Sequence, residues 1–191
     1  MTSSVVETEE YEQIRQRVYM ALFVALAVGL YTMEVLLPNP VPWFRIGLAN
    51  ILGLTALFCY GVRAMWTVNL LRIFVGNLLM GSLFAPGFLL SLGGGLLATG
   101  LMSVSFLLWK GKIGPVGISV LGALGHVSGQ IVVAWLVVVR HPSILMLLPI
   151  FLIFALISGI VNGLAADYLI ELLKKRLDKQ CLACSEELNK V

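Results

Sequence analysis

"TVNLLRIFVGNLLMG", residues 67–81, sets one arginine, Arg72, among leucine, isoleucine, phenylalanine and valine, with Asn69 and Asn77 on either side of it. Where this stretch sits decides what the arginine means, and the rest of the chain says where it sits. The protein has 191 residues, 59% hydrophobic and 12% charged. Soluble domains are about 45–50% apolar and about 25% charged, so this composition lies outside their range. The mean hydropathy of +0.97 agrees. Charge is also segregated along the chain: between Val18 and Ala166 the sole acidic residue is Glu34, while Glu7, Glu9, Glu10 and Glu12 precede the first apolar run. These features define an integral membrane protein.

A spanning helix needs about 20 predominantly apolar residues. Breaks at proline, glycine and charge give six candidates: 18–37, 46–61, 64–83, 86–109, 116–139 and 143–173. The expected fold is an all-α six-helix membrane bundle over 18–173, with an N-terminal arm at 1–17 and a C-terminal tail at 174–191. The "FCYGVR" break between the second and third spans is tight, so a five-helix count is its rival. With six spans, one side collects Arg15, Arg17, Arg63, Lys110, Lys112, Lys174, Lys175, Arg176, Lys179 and Lys190, and the other only Arg45 and Arg140. Lys and Arg concentrate on the cytoplasmic side, so both termini are expected in the cytoplasm. The first seventeen residues show no basic n-region and no A-x-A-like site, and no cleaved secretion signal is expected.

The third span then runs outward from about Ala64 and puts Arg72 about 12 Å deep. A charge there costs about 2.5–3.5 kcal/mol on insertion scales, and such residues face a cavity or a partner. Arg72 is therefore the leading candidate for a solute site. Its expected company is His126, with Gln130 one turn further along the same face, Asn50, Asn77 and Glu34. Asn162 is placed on the inner half of the sixth span. A packing role competes for each: Arg72 paired with Glu34 or helix-end carbonyls, and Asn50, Asn69 and Asn77 as interhelical hydrogen-bond partners. Small-residue pairs (Ala21 and Ala25, Gly125 and Gly129, Gly159 and Gly163) permit close approach of helices in lipid.

Catalysis is poorly supported. The chain contains no D-D-x-x-D pair, P-loop or G-x-S-x-G, and no clustered metal ligands; His126 and His141 are too few for a dedicated centre. No catalytic residue, metal or cofactor is expected, and nothing points to nucleic acid. "CLAC" (Cys181 and Cys184) lacks a second pair or a thioredoxin-like context and reads as incidental reduced thiols.

Several stretches in order, "ALFVALAVGLYTMEVLLPNPVPWFRIGLANILGLTALF", "LLRIFVGNLLMG", "FLLSLGGGLLATGLMS" and "GALGHVSGQ", resemble the bacterial family called heptaprenyl diphosphate synthase component I, or Gx transporter family, over about residues 18–173. That family is in turn similar to the substrate-binding S components of energy-coupling factor (ECF) transporters. The resemblance implies a six-helix, non-enzymatic subunit of the bacterial cell membrane that captures a vitamin-like or isoprenoid-related small molecule from outside. Its partners would be a transmembrane coupling protein and two ABC ATPases. It further implies docking through an A-x-x-x-A face, supplied here by Ala21 and Ala25, and a cap over the site formed by "PNPVPWF". Prenyl-chain synthases use aspartate-rich magnesium motifs, which this chain lacks; a subunit that assists such a synthase without catalysis is the alternative role.

Overall fold

The computed structural model describes the backbone of residues 2–36, 47–109 and 112–188, with side chains described over 14–34, 47–109, 112–141 and 143–175. Among these residues the chain is all helical. Six α-helices follow one another: α1 (Thr2–Leu36), α2 (Ala49–Tyr60), α3 (Val62–Leu79), α4 (Pro86–Trp109), α5 (Pro115–Val133) and α6 (Leu148–Leu188). A π-helical turn, Ala134–Val139, extends α5, and a 3-10 turn, Pro142–Leu147, leads into α6. Four segments are long and apolar enough to cross a membrane: Ile14–Glu34, Pro86–Trp109, Pro115–Val139 and Ser143–Lys175. The chain is a membrane protein.

One glycine decides the helix count. Between α2 and α3 stands Gly61 alone, at φ 89° and ψ −177°, a backbone region open essentially only to glycine. Its N–H still reaches Leu57 O at 3.0 Å, so α2 closes and α3 starts within one residue. The tight "FCYGVR" break is thus a true turn, and the count is six. The boundaries at residues 17 and 173 mark no break in the backbone, since α1 and α6 run through them.

α2 has 12 residues and spans about 18 Å at 1.5 Å per residue, well short of the roughly 30 Å hydrocarbon core. Its first turn stands beside the last turn of α1, where the Leu48 N–H meets Glu34. That meeting brings backbone N–H groups to the polar residues.

The helices form two sets of three. α1, α2 and α3 pack on one another around Phe23, Ala27, Leu52, Ala56, Ala64 and Val68. α4, α5 and α6 are joined more closely, by small residues. A Cβ on Gly129 would lie 2.6 Å from Gly93 O, and one on Gly163 would lie 2.6 Å from Val116 Cα, so backbones meet there with no room for a side chain. The two sets share an apolar cluster, Leu54, Leu57, Met65, Met102, Ile118 and Ala166, at the end where α2 turns into α3. Toward the opposite end, where α1 finishes and α2 begins, the residues between the sets are polar.

Around the outside runs an exposed apolar band that includes Leu22, Leu26, Phe74, Leu97, Val104, Ile153, Ile157 and Leu164. In water such a surface would mark an interface; on membrane helices it is the face turned to lipid tails.

Candidate functional site

The polar residues converge on one cavity between the two helix sets. Its lining comprises Tyr31 and Glu34 from α1, Gly47 and Asn50 at the start of α2, Arg72 and Ile73 from α3, Ser91 from α4, Ala123, His126 and Val127 from α5, and Ser158 and Asn162 from α6. All six helices contribute, and each set of three supplies six residues. The cavity gives ≈ 40 Å³ to the centres of water-sized spheres. One water needs about 10–15 Å³ on that measure, so the enclosed space suits a few heavy atoms.

Arg72 and Glu34 carry the charge, and both are buried, with 4% and 5% of their surfaces exposed. The chain fixes both on the first turn of α2. Arg72 donates from Nη2 to Asn50 Oδ1 at 3.3 Å. Glu34 accepts a hydrogen bond from the Leu48 N–H. The first N–H groups of a helix have no intrahelical partner and carry partial positive charge, so a carboxylate caps them well. The start of α2 thus stands beside Glu34, the last residue of the apolar segment Ile14–Glu34.

Hydroxyl and amide groups complete the walls. Ser91 Oγ donates to Gly87 O at 2.8 Å and stands 3.4 Å from Tyr31 OH in a further hydrogen bond. Asn162 Nδ2 donates to Gly47 O at 3.4 Å across the two sets. The ring of Tyr31 packs against α3 at Gly76, where a Cβ would come within 2.4 Å of Tyr31 Cδ1. Among the described residues, no three of His, Cys, Asp and Glu gather as a metal site.

A family model described as heptaprenyl diphosphate synthase component I matches residues 23–169. The chain belongs to the heptaprenyl diphosphate synthase component I family. No curated protein and no solved structure matches the chain. The stretch that carries the component I family match runs from Phe23 in α1 to Leu169 in α6 and takes in every residue lining the cavity.

Of the six residues that the sequence nominates in this component I chain, four line the cavity: Arg72, His126, Asn50 and Glu34. Gln130 and Asn77 are not among the lining residues. Gln130 shares a face with His126, as the i+4 spacing requires, and both press on Gly94 of α4; a Cβ there would meet Gln130 Cγ at 2.7 Å and His126 Cε1 at 3.1 Å. The cavity stops at His126, one turn short of Gln130. Asn77 is spent on the end of α3, donating from Nδ2 to Ile73 O at 2.7 Å and accepting from Ser82 Oγ at 3.1 Å.

Asn162 faces the start of α2, where it meets Gly47. Tyr31, Ser91 and Ser158 were not singled out by sequence, because lone hydroxyls are common packing groups in membrane helices. The expected cap over residues 38–44 and Arg45 lie outside the described residues. The expected docking pair, Ala21 and Ala25, is exposed on α1. With Met20, Val24, Val28, Thr67, Leu71 and Val75 it lines an open groove of ≈ 520 Å³ between α1 and α3.

Proposed function

We propose that this chain is the solute-binding membrane subunit of an ECF-type importer, an S component without catalytic activity of its own. The observation that carries the reading is the cavity: a buried arginine, a buried carboxylate and a set of amide, hydroxyl and imidazole groups, drawn from all six helices, enclose a small space in a membrane bundle. Intramembrane charge is expensive and marks function by default. Arg72 supplies the group suited to an anionic moiety on the solute, by the geometry of its guanidinium fork. Orientation follows from the basic side chains: both termini lie in the cytoplasm of a bacterial cell, and the cavity end faces outward. Energy comes from partners, a transmembrane coupling protein and its ABC ATPases, with the coupling helices lying on Ala21 and Ala25.

A second reading is favoured by the family name itself: a non-catalytic membrane component that accompanies a soluble prenyl diphosphate synthase. One experiment separates the two. The intact chain is captured from native membranes in mild detergent and the co-purifying proteins are quantified. A coupling protein and ABC ATPases are expected, and both are lost when Ala21→Leu and Ala25→Leu are combined, since the leucines fill the groove. Recovery of a prenyl synthase subunit in their place, unaffected by these leucines, overturns the importer reading.

A further inference from the structure

The open hollow between α1 and α3 runs from Met20 to Val28 along one helix and from Thr67 to Val75 along the other. A second hollow, of ≈ 490 Å³, is lined by Gln16, Arg17, Met20 and Thr67. Met20 and Thr67 belong to both, so the two form one groove, apolar along its length and cationic at its mouth. We propose that this groove binds one anionic phospholipid, with the headgroup at Arg17 and Arg63 and an acyl chain lying over Ala21 and Ala25. The site stands apart from the importer reading, because a bilayer fills an open groove on a membrane helix whether or not a protein partner docks there.

Shape, length and charge together name the occupant. Ala21 and Ala25 are exposed methyl groups between the longer side chains of Met20, Val24 and Leu71, so the helix surface is hollowed there. From Arg17 to Val28 the axis rises about 16 Å, which is half of the roughly 30 Å hydrocarbon core. Arg17 stands near the start of the apolar segment Ile14–Glu34, so the groove begins at headgroup level and ends near the midplane, the reach of one chain in one leaflet. The mouth draws arginines from two helices. Arg17 lines it, and Arg63 stands one turn before Thr67 on the same face of α3, where its carbonyl accepts the Thr67 hydroxyl at 3.0 Å. Both arginines are exposed, and among the described residues neither is joined to a carboxylate. The residues three and four before Arg17 are Ile14 and Gln13, and those three and four after it are Met20 and Ala21, so no acid stands at the helical spacing that would neutralise it. Guanidinium groups take phosphate by paired hydrogen bonds, and basic pockets between membrane helices select anionic headgroups. Beyond the mouth the Thr67 hydroxyl is spent on its own helix, and the trough suits hydrocarbon.

The test is native mass spectrometry of the full-length chain in mild detergent, titrated with phosphatidylglycerol, with phosphatidylcholine of the same chains, or with glycerol 3-phosphate. The first phosphatidylglycerol is expected to bind about tenfold or more tightly than the first phosphatidylcholine, since each basic side chain contributes about fivefold. Glycerol 3-phosphate is expected not to displace it, because the groove holds the chain as well as the headgroup. Arg17→Gln combined with Arg63→Gln should bring the two lipids to equal affinity. Lys112→Gln removes an exposed charge at the α4–α5 connection and should leave the preference intact. Ala21→Leu combined with Ala25→Leu should weaken the first phosphatidylglycerol several-fold. All these changes are made at exposed side chains, where folding tolerates them. Equal affinity of the two lipids in the unaltered chain overturns the site. So does a loss in Lys112→Gln as large as in the arginine pair, unchanged binding in the leucine pair, or displacement by glycerol 3-phosphate. The arginine pair leaves Ala21 and Ala25 in place, so partner capture with that variant judges the importer reading separately from the lipid site.

Discussion

Arg72 and Asn69 stand one turn apart on α3, and their surroundings give them different work. Asn69, 1% exposed, donates to Thr99 Oγ1 at 3.0 Å and presses its Oδ1 against α2 at Gly53, where a Cβ would come within 2.5 Å. It is a packing residue, fitted between three helices. Arg72 reaches past that layer to Asn50 and the cavity. If Arg72 binds the solute, its geometry matters as well as its charge. Arg72→Lys keeps the cation but loses the planar fork, and about a tenfold loss of solute affinity, read from the half-saturating concentration for uptake, is expected. Arg72→Ala removes a charge-assisted hydrogen bond worth about 1.5–3 kcal/mol, or about ten- to a hundredfold in affinity. Unchanged affinity in both variants would assign Arg72 to packing. Charge made Arg72 and Glu34 legible in the sequence, since each interrupts a long apolar run. Nothing comparable marked Tyr31, Ser91 or Ser158, whose role depends on which helix faces them. Asn162 was legible as an amide in an apolar run, but its meeting with Gly47 at the start of α2 depends on packing that counting residues does not give.

Helices α4 and α5 illustrate what small residues do that periodicity alone does not reveal. The pairs Gly125 and Gly129, and Gly159 and Gly163, were readable as close-approach signals, and the structure shows their partners: Leu97, Ala98, Gly93 and Gly94 of α4 for the first pair, Val120 and Val116 of α5 for the second. Ala21 and Ala25 have the same spacing and remain exposed, so spacing alone does not tell an internal contact from an outward face. The distinction is testable with one methyl group at a time. Gly129→Ala places a Cβ 2.6 Å from Gly93 O and 3.0 Å from Gly94 Cα. Both are backbone atoms, so the helices must separate, at a cost of about 1–3 kcal/mol for overpacking. Gly100→Ala, on the same helix pair, meets nothing within 4 Å and gains up to about 1 kcal/mol of helix propensity. Thermal unfolding in detergent is expected to fall for Gly129→Ala and to hold or rise for Gly100→Ala. Equal shifts would mean that α4 and α5 are not in this backbone contact.

At the scale of the whole molecule, the distribution of polar and apolar contacts between the two helix sets implies a direction of motion. Near the α2–α3 turn the sets share Leu54, Leu57, Met65, Met102, Ile118 and Ala166, and separating them there gives up the close packing that drives helix association in lipid. At the cavity end their contacts include the Tyr31–Ser91 and Asn162–Gly47 hydrogen bonds, both 3.4 Å long, which water or a polar guest replaces at little cost, beside the rings of Phe74 and Phe88, 5.7 Å apart. The bundle should therefore open as a hinge at the cavity end, with α1–α3 moving against α4–α6, rather than only tilt as one body. Ile73 and Gly95 bridge the sets beside the cavity: a Cβ on Gly95 would lie 2.5 Å from Ile73 Cδ1, so the two positions face each other. In a chain with Cys59, Cys181 and Cys184 changed to serine, Ile73→Cys and Gly95→Cys are expected to be joined by a short bis-thiosulfonate reagent. Backbone deuterium exchange in the first turn of α2 should then slow several-fold, because local opening is what exposes those N–H groups. Exchange around Met65 and Met102 should stay as it was, and reduction should restore the faster rate. A rigid bundle that only tilts would show the same exchange before and after the bond forms, and the hinge would have to be abandoned.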